Sequence, residues 1–245
     1  WQKWVQDTLP MQRLDHSADD GAFDEHHQGW YDGRYAALVV PRLVAARLWH
    51  DRIDADPRCL EEAATRAMAF VLRRQRPDGQ LDLGGAYSPN EAGFPVPALA
   101  RAYRGLRAMN SQWSGELAQM IQRYLRGAGE ALLAGEAYTS NHRWAASCGP
   151  LAAIHALFPD ERYRRKIAYY LADGIDCDAD GCWFEERSVG YNNVANHGLI
   201  VLADHLGEPR FMDHVVRNLR FMMFQIQPNG EADTSFSVRQ DRGCP

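Results

Sequence analysis

Lysine is nearly absent from this chain: Lys3 and Lys166 are the only two, and arginine supplies the rest of the 27 basic residues. The 32 acidic residues outnumber them, giving a formal charge of -5, and no basic footprint marks a nucleic-acid partner. Also missing is a run of about 18 apolar residues, because Arg, Asp or His breaks every candidate; no segment reads as a membrane span. The five cysteines (Cys59, Cys148, Cys177, Cys182 and Cys244) contain no CxxC pair and are too scattered for a disulfide framework. Cys177 and Cys182 read as independent thiols. No GxGxxG, P-loop or GxSxG motif occurs, which removes the usual dinucleotide, nucleoside-triphosphate and serine-hydrolase signatures. The chain opens on Trp1 without a basic n-region or an apolar h-region, so any targeting segment is expected to have been removed or never to have existed.

What is present is a globular composition, 46% hydrophobic and 24% charged over 245 residues, with enough chain to bury a sizeable core. A repeat runs through it. Asp20-Gly21-Ala22-Phe23-Asp24, Asp78-Gly79-Gln80-Leu81-Asp82 and Asn229-Gly230-Glu231-Ala232-Asp233 share a [DN]-G-x-x-D pattern, and Asp180-Gly181-Cys182-Trp183-Phe184-Glu185 is a looser copy. The intervals of 58, 102 and 49 fit a period near 50 if one copy, around Gly135-Glu136-Ala137-Tyr138, has degenerated. Between the turns the apolar spacing is helical. Helices are expected over 34–50, 57–75 (capped by Asp56 with Pro57 in the first turn), 95–110, 112–133, 147–157, 159–172, 191–206 and 209–227. No stretch alternates for long enough to build a substantial sheet. The expected fold is therefore all-α: helical hairpins of about 50 residues stacked as a solenoid or an α/α toroid, in one domain spanning 1–245.

The segments between hairpins carry Trp30, Tyr31, Tyr87, Asn90, Phe94, Asn141, His142, Trp144 and Tyr191, and recurrence on one side of each repeat makes them a candidate binding rim. Two of these segments concentrate chemistry. Thr139-Ser140-Asn141-His142-Arg143-Trp144 and Glu186-Arg187-Ser188-Val189-Gly190-Tyr191-Asn192-Asn193 each follow a repeat turn and precede an apolar helix. Together they resemble the catalytic segments of heparinase II/III-like and oligoalginate-lyase polysaccharide lyases, where an Asn-His pair is followed some fifty residues later by a DG…E-R-S-x-x-Y segment. Here His142 and Tyr191 are 49 apart, one extra residue separates Asp180-Gly181 from Glu186, and Asn192 stands where the family often has a histidine.

That resemblance implies an α/α toroid, here incomplete, belonging to a bacterial enzyme of the periplasm or the secreted fraction, with a β-sandwich downstream. It implies β-elimination on an acidic, uronate-containing poly- or oligosaccharide. Asn141, His142 and Arg143 would stabilise charge building on the substrate carboxylate. His142 would act as base and Tyr191 as leaving-group acid, while Arg187, Asn192, Asn90 and the rings of Trp30, Tyr31, Tyr87 and Trp144 would bind sugar. The scheme needs neither metal nor cofactor. Two alternatives stay open: a toroid glycoside hydrolase, for example one acting on unsaturated uronides, working through Asp82, Glu91, Glu185 or Asp233, and a non-catalytic glycan-binding fragment.

Other constellations are weaker. Asp176-Cys177-Asp178-Ala179-Asp180-Gly181 imitates the start of an EF-hand loop, but position twelve is Arg187 instead of a bidentate glutamate, so it reads as a sharp acidic turn. His26 and His27 are adjacent on a loop and diverge. Asn193 and His197, four apart, suit a polar network or a sugar contact. Cys182 has no paired base to make it a nucleophile.

Overall fold

The computed structural model describes residues 1–24, 31–185, 189–233, 235 and 237. Its contacts group into two compact units, Trp1–Gly135 and Glu136–Pro245. The first contains α1 (Gln2–Thr8), α2 (Gly33–Leu48), α3 (Pro57–Arg74), a two-stranded hairpin of β1 (Leu81–Leu83) and β2 (Ala86–Ser88), α4 (Pro89–Gly93), α5 (Val96–Ala108) and α6 (Gln112–Ala134). The second contains a π-helix (His142–Cys148) that runs on into α7 (Gly149–Leu157), then α8 (Glu161–Ala172), α9 (Val189–Leu206) and α10 (Arg210–Met223).

Local chemistry sets most of these boundaries. Asp32, Asp56, Ser111 and Asp160 cap α2, α3, α6 and α8 by accepting main-chain N–H groups, which satisfies donors that a helix start leaves orphaned. The strand hairpin turns on Gly84 and Gly85, both at positive φ, as a tight hairpin demands. Two helix ends differ from expectation. The helix expected at Ser147 starts at His142 as a π-helix, and the one expected to reach Gln227 stops at Met223 because the chain then closes a turn. Leu43, Leu60, Met68, Phe70, Leu99 and Leu117 build the core of the first unit; Trp144, Leu151, Trp183 and Leu199 do so in the second.

Three of the [DN]-G turns close in the same way, and the first makes the same pair of bonds across the longer loop from Arg13 to Ala22. Arg76 N–H donates to the Gln80 carbonyl (2.9 Å) and Gly79 N–H to the Arg76 carbonyl (2.8 Å). The same pair of bonds joins Arg13 to Ala22 and Gly21 to Arg13, Asp178 to Cys182 and Gly181 to Asp178, and Gln227 to Glu231 and Gly230 to Gln227. The four glycines have φ of 89°, 83°, 98° and 86°, a region that side-chain-bearing residues avoid. They differ in what they face. A Cβ on Gly21 would lie 2.2 Å from the Arg66 carbonyl of α3, on Gly79 1.9 Å from the Gly127 carbonyl of α6, and on Gly181 2.5 Å from the Arg217 main chain of α10. Beside Gly230 none of the described residues lies within 4 Å.

Candidate functional site

In the second unit the π-helix and α7 run beside α9, in the same direction and with main chains almost touching. A Cβ on Gly198 would come within 2.3 Å of the Trp144 main chain, and one on Gly149 within 3.1 Å of the Gly198 carbonyl and 3.4 Å of Val201. Tyr191 precedes Gly198 by seven residues, two helical turns, so it shares that stripe of α9. His142 precedes Trp144 by two. The His142 and Tyr191 backbones therefore stand at the same, N-terminal end of this helix pair, and both side chains are half-buried.

Between and beside them the burial is polar. Asn141 and Asn192 are 2% and 1% exposed, and the oxygen and nitrogen of both side-chain amides have no hydrogen-bond partner among the described residues. Buried polar atoms are almost always paired; Gln225, after α10, is a third such amide, but two of the three fall in the two candidate segments. The start of the π-helix is held by carboxylates from the turn between α8 and α9. Glu185 Oε2 accepts the Asn141 main-chain N–H at 2.7 Å, and Asp176 accepts from the Ser140 hydroxyl and, at 2.7 Å, from the Trp144 indole N–H. The turn is itself anchored: Trp183 Nε1 donates to Asn196 Oδ1 on α9 (3.3 Å), Asn196 Nδ2 to Asn218 Oδ1 on α10 (2.7 Å), and Asn218 Nδ2 to the Gly181 carbonyl (2.7 Å).

One of the expected binding roles changes. Trp144 is fully buried, so neither face of its ring is open to a sugar, and its N–H is spent on Asp176; it is a core residue. The Arg143 guanidinium lies over the rings of Trp144 (5.8 Å) and Tyr170 (6.0 Å) and 3.8 Å from Asp173, while its buried Nε has no hydrogen-bond partner among the described residues. Asp176 and Asp178, read as the opening of a sharp acidic turn, face protein donors: Asp178 Oδ1 accepts the main-chain N–H groups of Asp180 (3.0 Å) and Cys182 (2.8 Å). Cys177 and Cys182 are both free thiols. Burial pushes the Cys177 thiol up to about 11, helped by the neighbouring Asp178 charge, and pushes Cys148 up further, so neither suits nucleophilic work. Asn193 and His197 are exposed.

Tyr31, Tyr87 and Asn90 belong to the first unit, around the N-terminus of α2. The Tyr31 ring carries the Arg13 guanidinium at 5.0 Å and the Tyr87 ring that of Arg76 at 5.2 Å; Asn90 is half-buried in α4. Here the turn carboxylate is Asp82, fully buried, accepting the Gly33 N–H at 2.9 Å and a 2.5 Å bond from Arg74. Asp82 thus does at α2 what Glu185 does at the π-helix. The other carboxylates considered for hydrolysis are engaged as well. Glu91 pairs with Arg34 at 2.9 Å, and Asp233 accepts the Ser235 N–H at 2.8 Å, an interaction with Ser235 that holds its carboxyl below the usual range. Trp30 and Arg187, with Glu186, Ser188, His26, His27 and Cys244, lie outside the described residues. A cleft of about 680 Å³ opens between α8 and the start of α10, lined by Arg164, Arg165, Leu171, Leu206 and Arg210 among others. Leu206 is the last residue of α9, so this cleft sits away from Tyr191 and contains none of the candidate residues.

Sequence reasoning missed the part played by Asp176 and the Asn196–Asn218 link. Aligning the four turns residue by residue would have flagged Asp176, which occupies the place of Arg74. No protein-family model matches the chain, and neither does any curated protein. Among solved structures it is similar to an endoglucanase from the termite Nasutitermes takasagoensis, determined at pH 2.5. The likeness has a TM-score of 0.54 at 12% identity and covers 94% of this chain and 67% of the other. At that identity the likeness speaks for the fold, which is all-α and of the α/α-toroid class.

Proposed function

We propose that this chain is a glycan-active enzyme, and specifically a polysaccharide lyase that cleaves a uronate-containing polymer by β-elimination, in the periplasm or outside the cell. The observation that carries the reading is the pair of buried amides, Asn141 and Asn192, which find no partner among the described residues, at the helix ends that bear His142 and Tyr191. Such amide donors suit a ligand carboxylate whose charge grows during reaction, since preorganised donors stabilise a transition state at little cost in reorganisation. In the reaction His142 takes the C5 proton, the C5–H electrons form the C4–C5 double bond, the C4–O bond breaks, and Tyr191 protonates the departing oxygen. No water is consumed. Arg143, whose buried Nε has no hydrogen-bond partner among the described residues, and Arg187 are the candidate cations for the carboxylate.

A second reading is favoured by the likeness to an endoglucanase: a glycoside hydrolase built on the same fold. We rank it second because, of the four carboxylates named for it, Asp82, Glu185 and Asp233 accept protein N–H groups; Glu91, paired with Arg34 but with a buried Oε2 lacking a hydrogen bond among the described residues, is its best candidate. One panel separates the two. Alginate, heparosan, hyaluronan, glucuronan and a neutral β-glucan are incubated with the chain, following ultraviolet absorbance from the C4–C5 double bond beside reducing-sugar release. The lyase reading expects absorbance on at least one polyuronate and a loss of about 10²–10⁴-fold in Tyr191→Phe. Reducing ends without absorbance, abolished by removing a carboxylate and indifferent to Tyr191→Phe, would hand the site to hydrolysis.

A further inference from the structure

The turn between α8 and α9 differs from its counterparts at a position that reaches the candidate site. Two residues before the first donor of each turn stand Met11, Arg74, Asp176 and Gln225. Arg74 spends its guanidinium on Asp82, within its own turn. Asp176 reaches out of its turn instead. Its carboxylate takes the Ser140 hydroxyl and the Trp144 indole N–H, the two residues that bracket Asn141, His142 and Arg143. Its main chain is fixed at the same time, because the Asp176 carbonyl accepts the Phe184 N–H at 3.1 Å, one residue before Glu185 grips Asn141. Behind the turn, Trp183 and Asn196 tie it to α9, five residues beyond Tyr191.

We propose that Asp176 is a positioning residue for the site: a single carboxylate holding both ends of the 140–144 segment and, through its anchored turn, locking that segment in register with α9. The inference rests on the reading of His142 and Tyr191 as the acid–base pair. Its physical basis is that charge-assisted hydrogen bonds are short and directional, and that groups holding a reacting side chain in place contribute through alignment. Asp176 touches no reacting atom. Its removal should therefore slow turnover while leaving substrate affinity nearly intact.

The test uses Asp176→Ala and Asp176→Asn in the full chain, assayed on alginate, heparosan, hyaluronan and glucuronan. Asp176→Ala is expected to lower kcat by about 10–100-fold with KM changed less than about threefold. Asp176→Asn, whose amide oxygen still accepts from one donor, recovers part of that loss. A second readout needs no turnover: the indole ¹⁵N–¹H resonance of Trp144, assigned with Trp144→Phe, shifts clearly in Asp176→Ala and less in Asp176→Asn. Circular dichroism checks that the variants fold; should Asp176→Ala fail to, Ser140→Ala removes one of the two donors and should lower kcat by about threefold to tenfold. A folded Asp176→Ala with wild-type kcat, or with an unmoved Trp144 resonance, overturns the proposal. If the wild-type chain gives no absorbance on any polyuronate, the lyase reading fails by itself. The Trp144 resonance and amide exchange at Asn141 and His142 then still decide whether Asp176 holds the segment.

Discussion

Asn141 and Asn192 each bury an amide whose two polar atoms meet no partner among the described residues, and an unsatisfied buried group costs about 1–3 kcal/mol. Such a cost is removable by an apolar side chain of similar size, so Asn192→Leu should melt at or above the wild-type temperature while turnover falls by about 10²-fold or more. A fall in melting temperature of several degrees would mean that the amide has a structural partner. Cys177 offers a test of the electrostatics nearby. With its thiol pushed up to about 11, mainly by burial, only about one molecule in a thousand carries the thiolate at pH 8, because the thiolate is what reacts. Its alkylation by iodoacetamide, followed by peptide mass spectrometry, should climb about tenfold per pH unit from 8 to 10; a plateau by pH 9 would contradict the burial. The segments that bear Asn141, His142 and Tyr191 stood out in the sequence by their order of residues, and Tyr191→Phe is the test of the roles proposed for them. The burial of Trp144 and the inward engagement of Arg143 were not legible, since both depend on which way the π-helix is rotated against Tyr170 and Asp176.

Each turn glycine combines two demands, a left-handed backbone and, at three of the four, a close approach to a helix main chain. Gly79→Ala meets both, with the Gly127 carbonyl 1.9 Å from the new methyl, and should cost at least about 3 kcal/mol by chemical denaturation. Gly230→Ala meets only the first and should cost about 1 kcal/mol; equal costs would show that the seating adds nothing. The Asn196–Asn218 link is a second element-scale joint, and Asn218→Leu should destabilise by about 2–4 kcal/mol, since it strands Asn196 and frees the Gly181 carbonyl. The longer helices were legible because caps, prolines and apolar spacing are local signals, while the short α1 and α4 were not, having too few turns to show a period. Nor was the π-helix. No residue type marks that winding, which here accompanies main-chain contact with α9 at Gly198.

Over the whole chain the repeat was the most readable signal, because a turn that needs glycine at one place and a carboxylate after it writes itself into the sequence each time. What it could not reveal is that the four copies diverge in what they touch, with Asp176 turned outward and Gly230 facing none of the described residues within reach. The net charge of -5 bears on any acidic polymer as a general repulsion that local cations must outweigh, and added salt screens local attraction and global repulsion unequally. Short-range attraction should dominate, so KM for a polyuronate is expected to rise about threefold to tenfold between 50 and 300 mM sodium chloride; a fall in KM would mean that the overall field governs encounter. The contact at Gly198 has a practical corollary. Where two helices meet backbone to backbone, their separation is a property of peptide geometry and owes nothing to the surrounding side chains. One methyl group at Gly198, 2.3 Å from the Trp144 main chain, would have to wedge the two helices apart two turns below the tyrosine, at a cost in stability like that expected at Gly79.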